Sequence, residues 1–208
     1  MTHPQPPSSP QILTPDFWEG RYQEGTDRWD LGQPAPPFVR LLNAVDAPKP
    51  GKIAVLGAGN GHDALLFAER GFEVTGFDFA PSAIAHATQA AQARGLTAQF
   101  LQRDIFELAP EYGDRFDYVL EHTCFCAIHP SQRAAYVDLV RSLLRPQGQL
   151  IALFWVHTRP GGPPYGTTSQ ELLERLMPGF DVMLFEKAID SIESRKDEEY
   201  LARLCVKK

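Results

Sequence analysis

Apolar residues fall into two rhythms along the chain. Short runs rich in β-branched or aromatic residues alternate with longer segments in which apolar positions recur every three or four residues. The short runs are "KIAVLG" (52–57), "FEVTGFD" (72–78), "TAQFLQRD" (97–104), "RFDYVLEH" (115–122), "QLIALFWVH" (149–157), "FDVMLFEKAI" (180–189) and "EEYLARLCVKK" (198–208). They predict seven strands. Helical spacing marks "TPDFWEGRYQEG" (14–25), "PPFVRLLNAV" (36–45), "HDALLFAERG" (62–71), "APSAIAHATQAAQARG" (80–95), "PSQRAAYVDLVRSLLRPQG" (130–148) and "SQELLERLM" (169–177). Punctuation agrees with the periodicity. Thr14 precedes Pro15 as an N-cap before a first-turn proline. Gly71 and Gly95 sit where helices need a left-handed last residue. Pro146 and Gly148 are expected to stop the helix before the fifth strand.

Strands alternating with helices predict a Rossmann-like, doubly wound, mostly parallel sheet of seven strands. The last two strands have no helix between them, so they should pair antiparallel. Residues 14–208 therefore form one α/β domain, with an N-terminal helical lid over 14–46 and a core over 51–208. The proline- and serine-rich residues 1–13 are expected to be a disordered tail.

Composition narrows the partners. The 208 residues carry a formal net charge of −6 and no Lys/Arg run, which argues against a nucleic-acid surface. No apolar stretch approaches the ~20 residues of a membrane span, and no secretory signal pattern is present. Three cysteines are too few for a disulfide framework, so a reducing cytoplasm is the simplest compartment. A small-molecule partner and a monomeric chain are expected.

The chemistry concentrates at strand ends. "VLGAGNGHD" (55–63) places Gly57, Gly59 and Gly61 between the first strand and its helix, where a backbone can turn tightly and approach a ligand. Asp78 ends the second strand and could accept both hydroxyls of a ribose. Asp104 ends the third and could accept from an adenine amino group. Together they outline an adenosine-shaped cleft. Asp63, in the first turn after the glycines, opposes a pyrophosphate there. That favours S-adenosylmethionine over a dinucleotide, although a dinucleotide oxidoreductase and a non-catalytic nucleotide-binding protein stay open on these residues alone. "LEHTCFCAIHP" (120–130) gathers Glu121, His122, Cys124, Cys126 and His129 at the tip of the fourth strand. No second ligand cluster accompanies them, so no metal is expected. Trp18, Tyr22 and Trp29 precede the core, as amphipathic packing or as a cofactor lid.

The order and content of several segments resemble the thiopurine methyltransferase-like family of class I S-adenosylmethionine-dependent methyltransferases, on the halide/thiol (thiocyanate) methyltransferase branch. They are "FWEGRYQEGTDRWDLGQPAPP", "VLGAGNGHDALLFAERGFEVTGFDFAPSAI", "RFDYVLEHTCFCAIHPSQRAAYVDLVRSLLRPQGQLIALFW", "GGPPY" and "DSIESRKDEEYLAR". The resemblance implies a cofactor pocket of Trp18, Tyr22, Trp29, Gly57, Gly59, Asp78, Asp104, Ile105 and His122, with Tyr165 on a loop over the substrate. It also implies methyl transfer to a thiol, thiocyanate, sulfide or halide, with thiopurine and metalloid acceptors as alternatives. His122 departs from the tyrosine or arginine of relatives and is the expected catalytic base for a thiol, with Glu121 second.

Overall fold

The computed structural model describes residues 13–208. The expected tail lies outside the described residues, apart from Leu13. The elements run α1 (Pro15–Gln23), α2 (Pro36–Asn43), β1 (Lys52–Leu56), α3 (His62–Glu69), β2 (Glu73–Asp78), α4 (Pro81–Ala93), β3 (Gln99–Gln102), α5 (Ala109–Tyr112), β4 (Phe116–His122), α6 (Arg133–Leu143), β5 (Leu144–Trp155), α7 (Ser169–Leu176), β6 (Phe180–Lys187) and β7 (Glu199–Val206). Short 3-10 turns at Ile105–Glu107, Pro130–Gln132 and Glu193–Arg195 complete them.

The seven strands form one sheet in the order β3-β2-β1-β4-β5-β7-β6. β1 pairs parallel with β2 and β4, β2 with β3, and β4 with β5. β7 inserts antiparallel between β5 and β6, as the missing helix before it requires. Strand order reverses at β1/β4. Both strands there are buried on both faces, with Ile53, Ala54, Val119 and Leu120 fully enclosed. That reversal opens a crevice at the carboxyl ends of the strands.

Two features depart from the sequence expectation. α6 stops at Leu143, and Leu144 already pairs with Phe116, so β5 takes in "RPQG" through a register irregularity. A strand can carry a proline at such an irregularity where a helix interior cannot. The segment between β3 and β4 also contains a 3-10 turn and α5 where no element was expected. Each is too short to show a period.

The two N-terminal helices differ in how they are held. α2 buries Phe38, Leu41 and Leu42, each worth at most about 1.5–3 kcal/mol on apolar burial. α1 buries no residue. Its tether is Glu19, which accepts from Ser82 N at 3.0 Å and from Ser82 Oγ at the start of α4. Among the described residues, no helix is long and apolar enough to cross a membrane.

Candidate active site

A cavity of about 590 Å³ opens at the carboxyl edge of the sheet, under α1. Its floor is the turn after β1. Gly57 has φ 63°, and a Cβ there would lie 3.2 Å from Cys124 Cβ and Sγ. The left-handed backbone and the close approach together call for glycine. The N–H of Gly59 donates to Asp78 Oδ2 at 2.9 Å, and Ala80 N donates to Oδ1 at 2.9 Å. Asp78 is thus fixed at the β2 tip on the cavity wall. Burial raises its pKa, and the backbone donors oppose that rise.

Asp104 and Ile105 line the next part of the wall, beside Phe79 and Phe106. Asp104 Oδ1 accepts from Phe106 N at 2.9 Å, capping the short turn that follows. The roof is aromatic. Trp18 and Trp29 meet edge to face at 5.3 Å between centroids, and Tyr22 meets Trp29 at 5.5 Å. Trp29 Nε1 donates to Tyr22 Oη at 3.2 Å. Burial and the nearby Asp78 raise the Tyr22 pKa strongly, so this phenol stays neutral. The far wall holds Thr123, Cys124, Cys126, Ala127, His129 and Trp155. Thr123 adopts φ 61°, a costly conformation for a β-branched residue and one found where function over-determines the backbone.

The expected site residues therefore separate. Trp18, Tyr22, Trp29, Gly57, Asp78, Asp104 and Ile105 converge on the cavity. Gly59 stands just behind, bonded to Asp78. His122 and Tyr165 are not among the lining residues. The Tyr165 ring packs on His129 at 5.4 Å, and its N–H donates to Cys126 O. Arg133, buried and paired with Glu171 at 3.0 Å, donates to the carbonyls of Tyr165 and Gly166 and fixes that loop. His122 lies behind the lid, with Nδ1 2.7 Å from Asp63 Oδ2 and Nε2 3.1 Å from Arg195 Nη1. Burial disfavours its charge. Asp63 and Glu199 override that and push its pKa up to about 9, against Arg195. A base must reach the proton it takes; this ring does not line the cavity, and both its nitrogens are engaged, by Asp63 and Arg195. Glu121 is equally remote. It is 1% exposed, accepts from Phe125 N at 2.9 Å and from Tyr136 Oη, and burial pushes its pKa up to about 7.

The cysteines do line the cavity, but burial raises both thiols, Cys126 to about 12, so neither is a nucleophile at neutral pH. Among the described residues, no group of three or more His, Cys, Asp or Glu gathers as a metal site would require.

Sequence reasoning missed Arg21, Arg28, Arg103 and Trp155, all on the cavity wall. The signal existed for two of them: Arg103 sits beside Asp104 at the β3 tip, and Trp155 ends β5 at the same edge. Among the described residues, none of these arginines pairs with a carboxylate. Arg21 lies over the Phe17 ring at 5.1 Å, and the Arg103 guanidinium donates to Gln102 O.

Glycine cradle, anchored strand-tip acid, apolar shelf and aromatic roof fit S-adenosylmethionine, and the fold is that of a Rossmann-like methyltransferase that depends on it. Comparison with known proteins makes the class specific. The family model described as Thiopurine S-methyltransferase (TPMT) matches residues 13–205, and the chain belongs to that family. It is 32% identical over 198 residues to thiocyanate methyltransferase 1 of Brassica oleracea, covering 93% of this chain and 86% of the relative. It is 34% identical over 190 residues to thiocyanate methyltransferase 1 of Arabidopsis thaliana, covering 89% and 82%. Among solved structures, the 1,6-didemethyltoxoflavin-N1-methyltransferase of Burkholderia thailandensis with bound S-adenosylhomocysteine superposes with a TM-score of 0.74 at 23% identity, covering 98% and 94%. At that identity the likeness speaks to the fold.

Proposed function

We propose that this chain methylates a small, soft, anionic nucleophile: a thiolate, thiocyanate, hydrosulfide or halide. The observation that carries the reading is the charge around the cavity. Three arginines line it without a carboxylate partner among the described residues, while the two sequence-expected bases stand outside. His129 adds a donor. Its Nδ1 accepts from Ser131 N at 3.2 Å, so the proton of the neutral ring resides on Nε2. Such a wall favours an acceptor that arrives as an anion over one that must lose a proton in place.

Bound S-adenosylmethionine supplies a methyl group already activated by its sulfonium charge. The protein must hold the two reactants in line and exclude water, and that positioning accounts for much of the acceleration. Asp78 is proposed to hold the ribose, and Asp104 and Ile105 the adenine side. Trp18, Tyr22 and Trp29 would close the roof, with aromatic faces suited to a cation. Arg21, Arg28 and Arg103 would attract the anion. Two or three exposed cations together supply on the order of 1 kcal/mol, enough to lower a thiol pKa by about one. That raises the thiolate fraction near neutrality about tenfold without a base. All walls come from one chain, so the single chain is proposed as the working unit. A second reading, an aromatic acceptor of thiopurine type, is favoured by the rings of Phe17, Trp18, Trp29 and Trp155 around the same cavity.

The test is a competition among iodide, thiocyanate, hydrosulfide, thiophenol and a thiopurine, with S-adenosylmethionine as donor. The small anions and thiols should be methylated, and Arg28→Met should lower kcat/KM for thiocyanate about tenfold while S-adenosylhomocysteine affinity stays constant. Turnover of the thiopurine alone would move the assignment to the second reading.

A further inference from the structure

The strap between α1 and α2 carries Trp29 into the cavity roof and then returns along the seam between α3 and the β4 tip. Three attachments hold it. Asp30 pairs with His62 Nε2 at 3.1 Å and accepts from Asn60 Nδ2. The Trp29 carbonyl accepts from Arg195 Nη2 at 3.0 Å. Ala35 N donates to Asp63 Oδ1 at 2.7 Å. The last two attachments are joined through one side chain. His122 stands between Asp63 and Arg195, and its Nε2 is also 3.8 Å from Glu199 Oε1. Arg195 Nη1 closes the ring on Glu199 at 3.3 Å.

Two carboxylates, one guanidinium and one imidazole make this cluster, and the imidazole bridges it, with Asp63 at Nδ1 and Arg195 at Nε2. Aromatic rings pack against it. Phe38 of α2 meets the His122 ring at 5.8 Å, and Trp155 of β5 lies under the Arg195 guanidinium at 4.8 Å. The charged groups facing His122 are Asp63 from α3, Arg195 from the turn before β7, Glu199 from β7 itself, and the preceding Glu121 on β4, whose carboxyl is turned to Phe125 and Tyr136. Arg195 and Glu199 are 3% and 2% exposed. Removing the imidazole would leave buried charges short of partners, a costly state that favours opening.

We propose that His122 is a positioning residue which, with Asp63, Arg195 and Glu199, latches the Trp29–Ala35 strap against the core. The latch holds the Trp29 ring over the cavity and, through the Trp29–Tyr22 hydrogen bond, holds α1 there too. The role at the cavity rests on the reading of that cavity as the S-adenosylmethionine site; the latch itself does not. His122 thus acts on catalysis through the lid rather than by taking a proton.

The test is hydrogen–deuterium exchange of the ligand-free full chain, followed in peptides covering 26–36. In His122→Leu these amides should exchange at least tenfold faster, with β1 and β4 unchanged, and His122→Gln should restore much of the protection. The catalytic loss in His122→Leu should fall on KM for S-adenosylmethionine rather than on kcat. Unchanged strap exchange in a folded His122→Leu overturns the latch. So does a kcat loss in His122→Gln with KM and strap protection intact, which is the signature of a base. If His122→Leu does not fold, Arg195→Gln carries the same test, because it weakens the bond to the Trp29 carbonyl. Should the wild type fail to bind S-adenosylhomocysteine by calorimetry, the cofactor reading fails, while the exchange result still judges the latch.

Discussion

Asp78 shows how much a single residue can reveal in sequence. An acid at the end of a second strand, after a glycine turn, has few structural reasons to be there, and its backbone partners Gly59 and Ala80 hold it facing the cavity. Asp78→Ala should weaken S-adenosylhomocysteine binding at least tenfold by calorimetry, with the far-UV spectrum unchanged; equal affinity would remove it from the cofactor site. Gly57 and Asp104 were legible as cavity positions for the same reason, because strand-tip positions follow from strand ends, whereas Ile105 came only with the family resemblance. His122 was legible as a strand-tip residue but not in its role. Its role depends on Arg195, distant in sequence, and no local pattern announces that encounter. Arg28 was illegible because an exposed arginine in a polar segment has no signature until the fold shows what it borders.

Among the elements, α1 is the one whose sequence underdetermines its behaviour. Its aromatic spacing left amphipathic packing and a lid both open, and the helix buries no residue and depends on contacts at its edges. Glu19 binding both polar groups of Ser82 is the tie to α4. Helices held this way open at low free-energy cost. Glu19→Ala should therefore raise proteolytic cleavage within α1 and raise KM for S-adenosylmethionine several-fold. Global stability should drop by about 1 kcal/mol or less, as for one exposed polar tie. A large fall in Tm would show α1 to be integral to the core. Strands β1 to β7 and most helices could be read because their periods are long enough. The α6–β5 junction could not, since Leu144 pairs with Phe116 across a register irregularity, a tertiary event that overrides the helix-stop reading of Pro146.

For the whole molecule, two buried groups set the response to pH. Glu121 titrates near pH 7 in the fold, above the ordinary glutamate value of 4.5, so its contribution is complete below about pH 4.5 and is lost as pH rises through 7. His122 titrates near 9 against an ordinary 6.5, so its contribution is complete below about pH 6.5 and is lost as pH rises through 9. Both act in the same direction. A tenfold change in proton affinity corresponds to about 1.4 kcal/mol, so each group is worth a few kcal/mol at most. Thermal stability should peak near pH 5 and decline toward pH 9. Glu121→Gln should flatten the lower part of that decline and His122→Gln the upper part, as read by Tm across the pH series. A wild-type Tm that rises from pH 5 to 9 would contradict both assignments. The fold class and strand count were readable at this scale because they rest on repeated local signals, and the cofactor class came with the family resemblance. The charge balance behind the lid and around the acceptor was not, because it sums residues from opposite ends of the chain.

The most direct measurement follows the methyl group itself. The full chain is incubated with S-adenosylmethionine carrying a deuterated methyl and with thiocyanate, hydrosulfide or thiophenol, and products are read by mass spectrometry. The expected result is the deuterated methyl on the acceptor sulfur, with one S-adenosylhomocysteine formed per transfer. Binding of S-adenosylhomocysteine without labelled product from any soft nucleophile would contradict it.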